Sequence, residues 1–251
     1  MDRRRFIASF ASLAACPICA AAKAAGASPH WTYEGAAGDR NWGKLSGAYR
    51  ACAVGTRQSP LDIVEPIKAE LPPLNVSYRG GLAALVNNGH TIQADIAKGS
   101  MLTVGTERYE LVQFHFHHPS EHLVAGKGFA MECHFVHSDP AGNLGVLGVL
   151  MTEGAPNPAF GRIVEAMPRK ESTAASGLSG IDPNALLPSG LAYYRYSGSL
   201  TTPPCSEEVD WMLLEAPVAV AAGDIAKFAA LYPMNARPAQ KGFRRFVLWS
   251  A

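Results

Sequence analysis

The sequence predicts a mainly β protein of the α+β class, and three observations support this prediction. Short β-like runs follow one another from about residue 74 onward, separated by Gly, Asn and Pro. Two longer segments have the spacing of amphipathic helices. No internal repeat or linker divides the 251 residues. We therefore expect one domain built on a single large twisted sheet, mostly antiparallel, with peripheral short helices.

The predicted strands are short runs bounded by turn residues. They cover residues 74–78, 83–87, 91–96, 101–104, 109–117, 131–137, 146–151, 192–196 and 209–214. Helices are predicted at 158–167 and 222–231, where apolar residues recur every three or four positions. The Gly-, Pro- and Ser-rich sequence within 153–188 is expected to form a surface connection.

Composition argues against a nucleic-acid-binding protein and against a disordered acidic arm that binds a partner. The chain has 22 basic and 21 acidic side chains, without a basic patch for nucleic acid or an acidic tail for a partner. Its 48% hydrophobic content is enough to bury a sizeable core.

Residues 1–27 are predicted to be an export signal, followed by one domain at 28–251. The start contains Arg-Arg-x-Phe-Ile at 3–7, which favours the twin-arginine route. The apolar run that follows is too short to span a membrane, so no transmembrane segment is expected. The predicted location is the bacterial periplasm. Cys16 follows a lipoprotein-like Leu-Ala-Ala, which leaves a lipid anchor at Cys16 open as the alternative.

Cysteine usage supports export, because two of the three cysteines after residue 27 lie where they could form a disulfide. Cys133 is expected to face the core as a small apolar residue. Cys52 and Cys205 lie in loop-like sequence, where an oxidising compartment would let them bridge. Two free thiols are the alternative, and the residues alone leave both open.

The strongest functional signal is a set of three histidines on two predicted strands. His115 and His117 project from one face, about 7 Å apart along the backbone, and His134 lies on the next run. Three imidazoles without a fourth protein ligand are typical of catalytic zinc, which keeps one position open. Gln113 and Glu132 each lie two residues before a ligand, where they can orient the imidazoles.

Using a zinc-bound hydroxide requires residues that orient it and a route by which its proton leaves. Thr201, in the turn at 198–204, can accept the hydroxide's proton if its own proton goes to a carboxylate, for which Glu121 is the candidate. His90 follows an Asn-Asn-Gly turn and is the candidate proton carrier. An ordinary turn and a surface histidine are the alternatives for these two segments.

Four motifs occur in a fixed order: Gln-Phe-His-Phe-His, Ser-Glu-His, Glu-x-His-x-Val-His and Gly-Ser-Leu-Thr-Thr-Pro-Pro. Together with the stretches at 57–63 and 235–240, they resemble the α-class carbonic anhydrases in their exported bacterial form. The resemblance covers nearly the whole mature chain. It implies a zinc lyase that hydrates carbon dioxide reversibly to bicarbonate and a proton. It also implies a ten-stranded, mostly antiparallel twisted sheet with Zn²⁺ in a conical cleft.

The resemblance assigns roles residue by residue. It implies His115, His117 and His134 as zinc ligands, Thr201 and Glu121 as the pair that orients the hydroxide, and His90 as the proton shuttle. The remaining implied sites are a water network at Tyr33, Asn88, Gln93 and Gln113, an apolar wall for CO2 at Val136, Val146, Leu200 and Trp211, bicarbonate binding at Thr202, and a Cys52–Cys205 disulfide. Many members have Asn where Gln93 stands.

Some residues depart from the family pattern. His118 stands where many animal members have Trp, and we expect His118, His122 and His137 to be hydrogen-bonded scaffold. The tail after Gln240 is unusual, and its apolar residues at 246–249 predict either an added edge strand or a subunit interface in a homodimer.

Two other functions compete with the enzyme. A binding module of the same fold would lack the zinc ligands, and all three are present. A zinc hydrolase of esters or β-lactams would carry an Asp after His-x-His-x, whereas this chain has His118-Pro119.

Overall fold

A twelve-stranded sheet organises the computed structural model, which describes residues 29–171 and 180–250. Its short or half-apolar strands could not form stably alone and depend on pairing with their neighbours. The residues from Trp31 onward group as one compact unit. The predicted export signal, including Cys16, lies outside the described residues.

Fourteen strands are present in the described part of the chain. They are β1 (Asp62–Ile63), β2 (Ile67–Ala69), β3 (Leu74–Ser77), β4 (Leu82–Asn87), β5 (Ile92–Ile96), β6 (Met101–Val104), β7 (Glu107–His117), β8 (Leu123–Val124), β9 (Met131–Ser138), β10 (Leu144–Glu153), β11 (Tyr193–Ser199), β12 (Glu207–Leu214), β13 (Val218–Val220) and β14 (Leu248–Ser250).

The large sheet has the order β2-β14-β11-β12-β10-β9-β7-β5-β4, with β13 beside β10 and β6 joining β3 to β7. Its described pairings are antiparallel except β10–β12, β10–β13 and β14–β2. The prediction of a mainly β protein with one large, mostly antiparallel sheet is confirmed. The sheet has twelve strands instead of ten, because three-residue strands such as β13 and β14 extend it. The remaining two strands, β1 and β8, form a separate parallel pair.

The α-helices of the described residues are α1 (Trp42–Leu45), α2 (Ala51–Val54), α3 (Pro158–Ala166) and α4 (Ala222–Ala229). The sequence predicted α3 and α4 but not the two four-residue helices. Asn157 caps α3 by accepting from the backbone N–H groups of Ala159 and Phe160, while Pro158 occupies the first turn. The apolar side of α3 is buried in the main core.

A bulge in β7 determines which side chains of this strand face the site. Leu111 pairs with His137 and Gln113 pairs with Val136, so Val112 is the extra residue, and its side chain is exposed. As a result, Leu111 packs in the main core, whereas Gln113 lines a cleft on the opposite side of the sheet.

Strands β7 and β9 therefore present two different surfaces. We define the core face as the side that carries Phe114, Phe116, Cys133, Phe135 and His137, and the site face as the side that carries Gln113, His115, His117, Glu132, His134 and Val136. The core face packs against α3 and α4.

The unusual tail forms β14 inside the sheet. Trp249 pairs with Tyr194 on one side and with Lys68 on the other. The tail thus adds a strand as predicted, but β2 rather than β14 lies at the edge. Among the described residues, no helix is long and apolar enough to cross a membrane.

Candidate metal centre

Three histidines converge on the site face where β7 and β9 pair. His115 and His134 are direct partners in the register of the two strands. The ring centroids lie 5.0 Å apart for His115 and His117, and 4.5 Å apart for His117 and His134. One nitrogen from each of the three rings lies within 4.8 Å of the others.

A hydrogen bond at one ring nitrogen determines which nitrogen of each imidazole remains available. An oxygen acceptor takes the ring N–H, so the other nitrogen keeps its lone pair. The pairs are His115 Nδ1 with Gln113 Oε1 at 2.9 Å, His117 Nδ1 with the Asn235 carbonyl at 2.7 Å, and His134 Nε2 with Glu132 Oε1 at 2.8 Å. The available nitrogens are therefore Nε2 of His115, Nε2 of His117 and Nδ1 of His134.

The three available ring nitrogens fit a zinc ion. Nε2 of His117 is buried without a hydrogen-bond partner, a costly arrangement for a polar atom unless it binds something else. Burial lowers the pKa of all three imidazoles, that of His117 to about 4, so they stay neutral and able to coordinate a cation. Three imidazoles define the class of open-position metal centres, to which catalytic zinc sites belong.

Glu132 fixes the orientation of His134 through a hydrogen bond, and other hydrogen bonds hold Glu132 itself in place. Its Oε1 accepts from His122 Nδ1 at 2.6 Å as well as from His134, and its Oε2 accepts from the backbone N–H groups of Glu121 and His122. Burial alone would raise the pKa of Glu132, but His122 and His134 together hold it well below its ordinary value. His122, Glu132 and His134 also cluster closely, but their hydrogen bonds to one another occupy the facing atoms.

Glu121 lies between the histidines and the Thr201 turn. Its Oε1 accepts from the backbone N–H of Arg237 at 2.8 Å. Its Oε2 lies 3.8 Å from His134 Nδ1 and has no partner at full hydrogen-bond geometry. Burial raises the pKa of Glu121 to about 7, although the adjacent Thr201 hydroxyl is one of the groups that lower it. Thr201 itself is buried.

A cleft of about 120 Å³ opens above the histidines. Its lining brings together residues that lie far apart in sequence: Trp31, Tyr33, Asn88, His90, Thr91, Gln93, Gln113, His115, His117 and Thr202. The His90 ring stacks on Trp31 with centroids 3.7 Å apart. Asn88 donates to Gln93 Oε1 at 3.2 Å. A larger groove of about 540 Å³ beside the C-terminal segment contains none of these histidines.

An apolar wall adjoins the metal centre. Val146 is the register partner of Val136 on one side and of Trp211 on the other, so three strands place these side chains in one row. Leu200 packs against the same cluster. The Trp211 ring lies 4.9 Å from the ring of His134, centroid to centroid.

The other predicted residues are also accounted for. Cys52 and Cys205 form a disulfide, so the alternative of two free thiols is wrong, and Cys133 is a buried free thiol. His118 pairs with the Pro233 carbonyl, and His137 with the Tyr78 hydroxyl.

His122 is hydrogen-bonded scaffold as predicted, and it joins Glu132 to the Tyr196 hydroxyl. Sequence reasoning missed two contributions to the site: the Asn235 carbonyl orients His117, and the Arg237 backbone holds Glu121. Asn235 and Arg237 lie more than 100 residues from their partners. Local periodicity gives no signal for such contacts. The only signal was that both residues fall in the stretch at 235–240 that resembles the family.

Comparison with known proteins agrees with this class of metal centre. The family model of eukaryotic-type carbonic anhydrases matches residues 37–248. A carbonic anhydrase of Pectobacterium carotovorum is 40% identical over 232 residues, which span 92% of this chain and 95% of that protein. The α-carbonic anhydrase of Thermovibrio ammonificans, solved with sulfanilamide, superposes with a TM-score of 0.85 at 43% identity, covering 88% of this chain and 99% of that one.

The chain belongs to the eukaryotic-type (α) carbonic anhydrase family, whose members are lyases. The fold extends further, to dioscorin solved with ascorbate, at a TM-score of 0.80, 29% identity, and coverage of 88% of this chain and 97% of that one. Because function depends on the site and not on the fold alone, the three histidines carry the functional argument.

Proposed function

We propose that this chain catalyses the reversible hydration of carbon dioxide to bicarbonate and a proton, with zinc held by His115, His117 and His134. The observation that carries the proposal is the convergence of three neutral imidazoles, each with one nitrogen fixed by a hydrogen bond and the other available. A zinc ion bound there would supply a hydroxide nucleophile at neutral pH, because coordination lowers the pKa of water to about 7.

Thr201 and Glu121 are proposed to orient the nucleophile. A Thr hydroxyl can donate one hydrogen bond and accept others. If Thr201 donates to Oε2 of Glu121, its oxygen can only accept from the nucleophile, which turns a lone pair of the nucleophile toward the substrate. Two observations support this assignment: Oε2 of Glu121 has no other hydrogen-bond partner, and the Thr201 hydroxyl interacts with the Glu121 carboxyl group.

The apolar wall of Val136, Val146, Leu200 and Trp211 is proposed to hold carbon dioxide beside the nucleophile. Carbon dioxide is uncharged, so a small apolar surface is suited to holding it weakly beside the nucleophile. Thr202, which lines the cleft, is proposed to assist bicarbonate binding through its hydroxyl.

His90 is proposed to carry the proton out. It lies in the same cleft as His115 and His117, and the polar lining of this cleft includes Tyr33, Asn88, Gln93 and Gln113. The stack of His90 on Trp31 fixes the position of the imidazole within the cleft. Water ordered by the four polar side chains would connect the centre with His90.

We propose that residues 1–27 direct export and that residues 28–251 act in the periplasm. The Cys52–Cys205 disulfide supports this location, because disulfides persist in oxidising compartments. The mass of the mature protein from a periplasmic extract should correspond to a start near residue 28. A lipid-modified chain that starts at Cys16 would replace this proposal with a membrane-anchored enzyme.

The reaction is tested by stopped-flow hydration of carbon dioxide on the purified mature protein. Hydration should disappear when zinc is removed by chelation and return when zinc is restored. Full zinc occupancy with no hydration above the buffer rate would refute the enzyme proposal and favour a binding role.

The shuttle is tested with His90→Ala. We expect a lower kcat in weak buffer, recovery with added imidazole, and an unchanged kcat/KM, because His90 acts after the attack on carbon dioxide. An unchanged kcat in weak buffer would remove His90 from this role.

A further inference from the structure

Two buried residues from the stretches at 57–63 and 235–240 meet behind the Thr201 turn. Gln58 is 3% exposed and Arg237 is 2% exposed. Arg237 Nη1 donates to Gln58 Oε1 at 2.9 Å and to the Ser59 carbonyl at 2.8 Å. The mechanism above uses neither side chain.

The pair closes a ring with the disulfide. Arg237 Nη2 donates to the Cys52 carbonyl at 3.2 Å, and Gln58 Nε2 donates to the Cys205 carbonyl at 3.1 Å. Cys52 and Cys205 are joined covalently. The four residues therefore form a cycle of one covalent link and three hydrogen bonds, and its members cannot move independently of one another.

This ring is connected to both residues that orient the nucleophile. The Arg237 backbone N–H donates to Oε1 of Glu121 at 2.8 Å. On the other side, the Cys205 N–H donates to the Thr202 carbonyl at 2.9 Å, which closes the turn that directly follows Thr201 in the chain. The ring thus spans the distance between the Glu121 carboxylate and the Thr201 turn.

The guanidinium is suited to a geometric role. The Arg237 guanidinium forms no ion pair with a carboxylate among the described residues, and its N–H groups donate to neutral oxygens. Its guanidinium carbon lies 5.5 Å from the centre of the Trp42 ring. Hydrogen bonds from a charged donor are stronger than neutral ones, and the planar fork of Arg fixes direction as well as distance.

We infer that Gln58 and Arg237 are positioning residues, which hold Glu121 and the Thr201 turn at the separation that orients the nucleophile. This inference rests on the proposed function and assigns it two further residues. Neither side chain touches the substrate, so both act through Glu121 and Thr201. Loosening the ring should impair the attack on carbon dioxide and leave both the zinc ligands and the His90 exit intact.

The test uses Gln58→Met, which keeps the side-chain length and removes the amide. Zinc stoichiometry should stay at the wild-type value, while kcat/KM per bound zinc falls by about ten- to a hundredfold, the size expected for a misplacement of about 1 Å. The dependence of kcat on buffer concentration should match wild type. Wild-type kcat/KM per zinc in a folded variant would overturn the inference. If Gln58→Met does not fold, Gln58→Asn, which withdraws the amide by one methylene, serves for the same measurement.

A double-mutant cycle separates positioning from general destabilisation. In a Glu121→Gln background, adding Gln58→Met should cause little further loss of kcat/KM, because both changes disturb one unit. Additive losses would overturn the inference. The matched control is Arg195→Met, since Arg195 is half-buried and bound to Glu107 and Asp210 outside the ring. That variant should lose stability and keep wild-type kcat/KM per zinc. Absence of hydration in the wild type would instead mean that the proposed function itself fails.

Discussion

His117 and His137 are both buried histidines on neighbouring strands, 1% and 0% exposed, but the hydrogen-bond partners of their ring nitrogens differ. His137, on the core face, has a partner at each ring nitrogen: the Tyr78 hydroxyl at 2.7 Å and the Gly145 carbonyl at 3.2 Å. His117, on the site face, has a partner only at Nδ1, and its Nε2 is buried without one.

The difference shows what distinguishes a proposed metal ligand from a scaffold histidine in this sheet. Burial lowers the pKa of both imidazoles to about 4, so neither burial nor protonation state separates them. The distinguishing feature is a nitrogen left without a protein partner, at a point where two other imidazoles converge. His137, on the core face, belongs to none of the clusters among the described residues that could hold a metal ion.

The largest test of this comparison removes one histidine from each face. His117→Ala should reduce zinc affinity by more than about 100-fold, because loss of an outer-shell partner alone costs about 10- to 100-fold and this change removes a ligand. His137→Gln should leave zinc affinity unchanged. Dissociation constants measured by competition with a chelator at one pH check both statements. Equal losses in the two variants would show that the two faces do not differ in this way.

The second prediction concerns the stability that depends on His137. In the unfolded chain an imidazole takes up its proton as the pH falls through about 6.5, whereas His137 in the folded protein does so only near 4. The unfolded state therefore binds more protons in this interval, and folding loses stability as the pH falls from about 6.5 to about 4. The contribution lost is about 3 kcal/mol.

Urea unfolding of wild type and His137→Gln at equal zinc concentrations measures this contribution. At neutral pH the variant should be the less stable protein, since it loses both hydrogen bonds of the ring. The gap in unfolding free energy should shrink by about 3 kcal/mol between about pH 7 and about pH 4. A gap that stays constant would show that His137 titrates at its ordinary pKa in the folded state. Other titrating groups are common to both proteins and cancel in the difference.

Local patterns in the sequence predicted most of what builds the site face. Side chains alternate across a strand, so the placement of His115, His117 and His134 on one face follows from spacing alone. The predicted strand at 131–137 is Met131–Ser138 in the structure, and the predicted helix at 222–231 is Ala222–Ala229. Where apolar periodicity is strong, the sequence determines the element within a few residues.

The parts that could not be predicted depend on distant contacts. Strands β13 and β14 have three residues each and exist because β10, β11 and β2 supply partners for them. The bulge at Val112 has no local signal, although it decides that Leu111 and Gln113 face opposite sides. The acceptor for His117 is a carbonyl 118 residues away. Pairing and backbone acceptors of this kind carry no side-chain signature.

The smallest predicted effect concerns the two side chains on the site face that accept hydrogen bonds from the histidines, Gln113 and Glu132. Gln113 and Glu132 each accept from the N–H of a proposed ligand imidazole, but Gln113 lines the cleft and Glu132 is fully buried. Water can replace the amide oxygen of Gln113, whereas nothing can replace the buried charge that serves both His134 and His122. Zinc affinity should therefore fall by about 100-fold in Glu132→Gln and by about tenfold or less in Gln113→Leu.

Dissociation constants for zinc, measured at one pH on folded variants, decide between the two partners. The larger loss in Glu132→Gln would follow from its position on the sheet, because that carboxylate also accepts from the backbone N–H groups of Glu121 and His122. If Gln113→Leu lost as much zinc affinity as Glu132→Gln, solvent access would not determine how much each hydrogen-bond acceptor of the imidazoles contributes to zinc binding. In that case a hydrogen-bond acceptor that water can reach would matter as much for zinc binding as a buried one, since the loss of either acceptor would weaken zinc binding equally.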